Sequence, residues 1–238
     1  MSVRHREEFE LSCLDCATSS CAKAKGDYPA FCPTKAMTEQ EKAESVQAYR
    51  DDELALSVMR AASATGARAF SDHLCRVEEI MDFCRRMGYR KIGVAACSGL
   101  AAEARLFAKV LRVHGFEVYG IACKVGAVSR ASLEATESCC DFGLVSCNPL
   151  MQAKMLNEAD VDINVVIGLC VGHDALFYKH ADAPCTTLVT KDRALANNAA
   201  AVFQVLGSAS PYSRLLKEDE SFSPLGEGAV RQGSKSCC

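Results

Sequence analysis

The rhythm of apolar and polar positions changes twice along the chain. Residues 1–36 are polar and show no convincing periodicity, with Cys13, Cys16, Cys21 and Cys32 spread among them. Over residues 37–89 the spacing becomes helical. One predicted helix opens at Thr38, where Glu41 three positions later completes a capping-box pattern, and runs to about Thr65-Gly66. A second spans Ser71 to Met87 and stops at Gly88, a natural C-terminal cap.

From Arg90 onward, short apolar runs alternate with helical stretches. KIGVAAC (91–97), FEVYGIAC (116–123), FGLVSC (142–147), VDINVVIGLC (161–170) and CTTLVTK (185–191) read as strands. The fourth run is almost continuously apolar, as expected for a strand covered on both faces. Between and after them, residues 100–115, 149–159, 173–181 and 192–207 read as helices. Such alternation predicts a mainly parallel sheet of about five strands with crossover helices, a three-layer Rossmann-like α/β domain over residues 90–210. A cysteine-rich extension (1–36) and a helical segment (37–89) packed on the main domain are expected to precede it. A flexible tail (211–238), rich in glycine, serine and charge, is expected to follow.

Composition narrows the function classes. With 49% hydrophobic residues, the chain can build a core and is not wholesale disordered. The net charge of −3 and the lack of a basic block argue against nucleic acid as a partner. No apolar run reaches the roughly 18–20 residues of a membrane span. The charged start MSVRHREEFELSC lacks the apolar stretch of a signal peptide, so a soluble, cytoplasmic protein is expected.

Cysteine is the residue that changes the picture. Fifteen in 238 residues is an odd number in a chain far too long for a small disulfide scaffold. In a reducing compartment such thiol density points to metal or redox chemistry, with ordinary buried cysteine as the competing explanation. The leader carries C-x2-C-x4-C-x10-C from Cys13 to Cys32, followed by Pro33. Its apolar side chains are few (Leu14, Tyr28 and Phe31 dominate), so a metal bound by four thiolates is the term expected to order it. Structural zinc prefers two close cysteine pairs, and only one is present. A [4Fe–4S] cluster tolerates irregular loops and a Cys-Pro step, so it is the expected cofactor, with zinc as the alternative.

A second set closes the predicted strands: Cys97, Cys123, Cys147 and Cys170. In a parallel sheet all four fall on the edge where open α/β sheets bind ligands. Cys97 precedes Ser98-Gly99 and a helix start, a place that favours a thiolate. With His173 these cysteines form the candidate catalytic set, and Lys124, Lys191 and Arg193 are candidate cofactor-binding cations. Cys75 and Cys84, nine positions apart on one predicted helix, point to opposite sides and suit core packing. Cys139-Cys140 is a weaker candidate redox pair. Nothing assigns a role to Cys237-Cys238.

Cys97-Ser98-Gly99-Leu100, Cys123-Lys124, Cys147-Asn148-Pro149, GLCVGHDALF (168–177) and APCTTLVTKDR (183–193) resemble an uncharacterised family of metal-binding proteins from anaerobic bacteria and archaea. The resemblance spans about residues 10–205 and implies metal binding at the N-terminal cysteines and an anaerobic setting, with no named reaction. The expected function is therefore a metal-binding redox protein. Its leader cluster would pass electrons to the cysteine-lined cleft. A metal sensor or carrier, and a small-molecule enzyme with structural zinc, are the alternatives. Expected partners are a metal ion or cluster, an electron-transfer partner or small molecule, and a second copy of the chain.

Overall fold

The computed structural model describes residues 11–23, 26–134, 143–207 and 210–216. The chain divides into two compact units, Met1–Ala62 and Ser63–Cys238. In the first, Cys13–Asp15 and Ser20–Lys23 form single 3-10 turns, and α1 (Pro33–Ala36) starts directly after Cys32. Helix α2 (Glu39–Asp51) opens with the expected capping box, Glu41 N donating to Thr38 Oγ1 (3.2 Å) and Thr38 N donating to Glu41 Oε2 (2.7 Å). The single helix expected to run on to residue 66 is broken at Asp52. That residue leaves the helical region, and its carboxylate accepts from Ala55 N (2.9 Å) to cap α3 (Glu53–Asp72).

The next helix begins five residues later than its sequence pattern suggests. His73 adopts a left-handed backbone (φ 56°) after α3, and Cys75 then caps α4 (Arg76–Met87), its N–H donating to Glu78 Oε2 (2.8 Å). Gly88 ends α4 in the left-handed region, as expected.

Beyond α4 the alternating pattern builds β1 (Lys91–Ala96), α5 (Ala101–Val113), β2 (Glu117–Ala122), α6 (Pro149–Glu158), β3 (Ile163–Ile167), α7 (His173–His180), β4 (Cys185–Val189) and α8 (Ala201–Gln204). The strands form one parallel sheet in the order β2-β1-β3-β4. Every residue of β3 is buried, Asn164 included, as its almost continuous apolar run leads one to expect. Alternate residues of β1 feed two cores. Ile92, Val94 and Ala96 pack with Ile80, Cys84, Phe107 and Leu111 of α4 and α5. Ala95 packs with Ala153, Leu156 and Phe177 of α6 and α7. The result is a mixed α/β fold with, among the described residues, four strands and eight helices.

Two expected elements are corrected. Residues 143–147 do not add a fifth strand: they fold back on 128–130 through one antiparallel bridge, Ser129 with Val145, and Ser146 N donates to Val128 O (2.8 Å). The apolar run there is only Leu144-Val145, and Leu144 is exposed. Phe142 lies outside the described residues. The helix expected over 192–207 shrinks to α8. Asp192 Oδ1 accepts from Ala194 N and Leu195 N, Asn197 Oδ1 accepts from Asp192 N, and Ala196 and Asn197 turn left-handed, so local side-chain bonds replace helical ones. No described helix is long and apolar enough to cross a membrane.

Candidate functional site

The hydrogen-bond ladders of the sheet continue one residue past the strands. Cys97 N donates to Ile167 O (2.8 Å) and Cys123 N to Ala96 O (2.8 Å), so these two cysteines leave adjacent strands side by side. Cys147 arrives by another route. Asn148 caps α6, accepting from Met151 N (3.1 Å), and its own N–H donates to Cys123 O (2.7 Å). That bond holds the residue before it against the end of β2. One turn along α6, the fully buried Gln152 donates through Nε2 to Ile121 O (2.8 Å) and Ala96 O (3.3 Å), tying the ends of β1 and β2 together beneath the sulfurs.

Gly168 closes the floor. Its φ of 66° belongs to glycine, and a Cβ there would collide with the Leu100 side chain, so the chain turns sharply after β3 and carries Cys170 away from the ladder.

Cys123 is held well below the usual thiol range by the neighbouring Cys147 and Cys97 thiols, helped by Ser98 N–H at 3.3 Å; its Sγ also lies 3.6 Å from the Ser98 hydroxyl. Donating to that sulfur, together with partial burial, pushes Cys97 and Cys147 up. The position expected to favour a thiolate at Cys97 thus serves its neighbour: Cys97 caps the 3-10 turn Ser98–Leu100, but the first free N–H of that turn points at Cys123. Cys123 is buried, while Cys97 and Cys147 are half-buried and connect it to the surface.

Cys170 stands beside this trio, near Cys147, and accepts from Arg193 Nη2 (3.1 Å). Lys124 Nζ donates to Val145 O (2.6 Å), and its charge acts on Cys147. Lys191 faces Cys97. His173 begins α7, its N–H donating to Cys170 O (2.9 Å), and its Nδ1 is buried without a partner among the described residues.

The leader is arranged differently. Cys13 and Cys21 are exposed, Cys16 is half-buried and Cys32 is buried. The Thr18 hydroxyl, 3.5 Å from Cys16 Sγ, lowers the Cys16 pKa. Among the described residues, no three His, Cys, Asp or Glu side chains are placed so that they could hold one metal ion. Among the described residues, neither cysteine set is therefore a preformed metal cage.

The remaining cysteines separate by burial. Cys84 is fully buried in the core, which pushes its thiol up to about 12, whereas Cys75 sits exposed at the start of α4. Burial likewise raises Cys185 to about 11. Cys139, Cys140, Cys237 and Cys238 lie outside the described residues. Ser98, Asn148 and Gln152 were not singled out from the sequence. Asn148-Pro149 is a readable helix-start signal, but nothing in the sequence marks a glutamine one turn later as a strand clamp.

Residues 32–188 match the family described as protein of unknown function (DUF1847). The chain is also 46% identical over 125 residues to an uncharacterized protein of Methanocaldococcus jannaschii; the match covers 52% of this chain and 64% of that protein, just under two thirds of its length.

Proposed function

We propose, for a chain that belongs to the DUF1847 family of proteins of unknown function, that the strand-end cysteines form a redox-active thiol site exchanging with small-molecule disulfides. The observation that carries this reading is that the backbone brings Cys97 and Cys123 side by side on adjacent strands, with Cys147 held beside them by Asn148 N donating to Cys123 O. Cys97 and Cys123 follow the register pair Ala96 and Ala122 on neighbouring parallel strands, which lie about 4.8 Å apart, inside the roughly 4.4–6.8 Å Cα separation a disulfide needs.

The chemistry follows from these positions. The half-buried Cys97 sulfur attacks one sulfur of a disulfide RSSR, and its proton passes to the departing RS group. A mixed disulfide forms and RSH leaves. The Cys123 thiolate then attacks the Cys97 sulfur and releases the second RS group as RS⁻. One thiol and one thiolate are oxidised to a disulfide, and RSSR is reduced to RSH and RS⁻. Lys191 and Lys124 stabilise negative charge on the flanking sulfurs, Lys191 at Cys97 and Lys124 at Cys147. Titrating the reduced protein with oxidised glutathione and mapping the cross-links by mass spectrometry tests this. A reversible Cys97–Cys123 or Cys123–Cys147 bond is expected; cross-links confined to the leader cysteines would end the reading.

A second proposal, supported by the C-x2-C-x4-C-x10-C-P spacing, is a [4Fe–4S] cluster, or zinc, on Cys13, Cys16, Cys21 and Cys32, assembled by rearrangement of the leader. It carries with it the electron-transfer, sensor or carrier roles and the anaerobic setting. Its test is oxygen-free reconstitution with iron and sulfide: visible absorption that disappears in the leader quadruple Cys→Ser variant supports it, and a colourless product contradicts it. A cytoplasmic location belongs with both proposals, since a reducing compartment keeps such thiols free. The four-stranded parallel order, with helices on both faces, supports a three-layer Rossmann-like description of the domain.

A further inference from the structure

Strand β2 is the open edge of the sheet, and the face it turns to α5 is incompletely covered. Its residues there are Val118, Gly120 and Ala122, and α5 answers with Ala101, Ala104 and Ala108. Small residues on both walls leave a groove of about 440 Å³ between helix and strand, a volume within the roughly 300–1,000 Å³ of small-molecule sites. Gly120 and Ala122 are exposed in consequence, although Val94 and Ala96 beside them on β1 are buried.

The groove has two unlike ends. Helix α5 leaves the sheet edge beside Cys97 and runs back towards the start of β2, where Arg112 Nη2 donates to Val118 O (3.4 Å). Cys97 therefore lies at one end and Arg112 at the other, with Arg105 between them on the same helical stripe. Val118 to Ala122 is four strand steps, about 13 Å at about 3.3 Å each. No acidic side chain lines the groove, and Arg105 makes no ion pair or hydrogen bond among the described residues. Exposed guanidiniums beside an apolar trough suit a carboxylate with an apolar body.

We infer that the α5–β2 groove binds an amphiphilic carboxylate, its anionic head on Arg105 and Arg112 and its apolar body laid over Gly120 towards Cys97. The inference deepens the thiol reading, because it names the class of molecule whose far end reaches the attacking sulfur; binding itself does not require the thiol chemistry.

Calorimetry with octanoate and with octylamine tests it on the full chain. Octanoate is expected to bind and the amine not to. Arg105→Ala weakens octanoate about tenfold, the size expected for one charge-assisted contact. Gly120→Val fills the trough: a Cβ there meets only Val94 Cβ and Val94 O, both at 3.8 Å, and the backbone is not left-handed, so the variant should fold and lose binding. Ala104→Leu blocks the groove from the helix side and keeps the test decisive if the strand variant unfolds. Failure of octanoate to bind, equal binding of the amine, or undiminished binding in a folded groove-filling variant overturns the inference. Cys123→Ser, a position outside the groove lining, should leave octanoate binding intact. Binding that survives without disulfide exchange removes the thiol reading alone, and exchange without binding removes the groove alone.

Discussion

The leader and the sheet edge each contribute four cysteines, but they use them in opposite ways. In the leader the four lie within twenty positions, two of them exposed, and no metal-holding group forms among the described residues. At the sheet edge the cysteines are scattered from Cys97 to Cys170, yet backbone bonds bring three of them, Cys97, Cys123 and Cys147, together. The difference teaches that closeness along the chain is a weaker organiser than topology. A parallel sheet returns every strand end to one edge, and its ladder fixes the residue after each strand by backbone bonds alone. The leader has no such scaffold.

The sharpest way to break the comparison is to remove the central sulfur. Cys123→Ser should slow disulfide exchange by about 100-fold or more, because the thiolate that resolves the mixed disulfide is gone. The leader quadruple Cys→Ser variant should leave the rate unchanged. Quenched-flow exchange with oxidised glutathione measures both, and equal losses would erase the contrast.

Next in size are the supports of the site. Gln152→Leu removes the buried side-chain donor that Ile121 O and Ala96 O share, Ala96 O keeping Cys123 N, and should cost about 1–3 kcal/mol in urea unfolding, with slower exchange. Cys97→Ala and Cys147→Ala should each raise the Cys123 pKa by about one to two units, since a hydrogen bond to a charged group contributes about 1.5–3 kcal/mol. A pKa that does not move in either variant would mean that the row of thiols is not coupled.

A pH effect sharpens the comparison from outside both regions. Arg86 holds the Asp82 carboxyl down to about 2 from an ordinary 3.8, with Thr65 and Arg68 also donating. A depressed carboxylate stabilises the fold above its unfolded value and loses that contribution as pH falls through its folded value. On the order of 1–2 kcal/mol should therefore disappear between about pH 4 and pH 2, discounted for the solvent around both arginines. Asp82→Asn should flatten that slope in acid unfolding curves. The smallest effect belongs to the leader: Leu14, 96% exposed, should tolerate alanine within about 0.5 kcal/mol.

Much of this arrangement was legible in the residues themselves. The Thr38–Glu41 cap, the Gly88 stop and the almost continuous apolar run of β3 depend on local chemistry, and each appears where the pattern puts it. Placing Cys97, Cys123 and Cys170 at one edge needed only the inference of a parallel sheet. What failed depends on competition between bonds. Asp52 could continue a helix or cap the next one, Asn197 could extend a helix or close a turn, and Leu144-Val145 could join the sheet or a local bridge. Which of the four strand-end sulfurs would meet was also hidden, because the Asn148 contact that delivers Cys147 and the turn at Gly168 that displaces Cys170 are long-range facts. So was the choice of Cys123 as the lowered thiol, which follows from the Cys147 and Cys97 thiols beside it and from where one N–H of Ser98 points.

The central claim is that Cys123 is a thiolate held by two neighbouring thiols. A pH titration of ultraviolet thiolate absorption, taken as wild type minus Cys123→Ser, tests it most directly. One full thiolate difference, already present at pH 6 and constant to pH 8, is the expected result. A difference that is absent at pH 6 and grows in only above about pH 8, as for an unperturbed thiol near 8.5, would contradict the account.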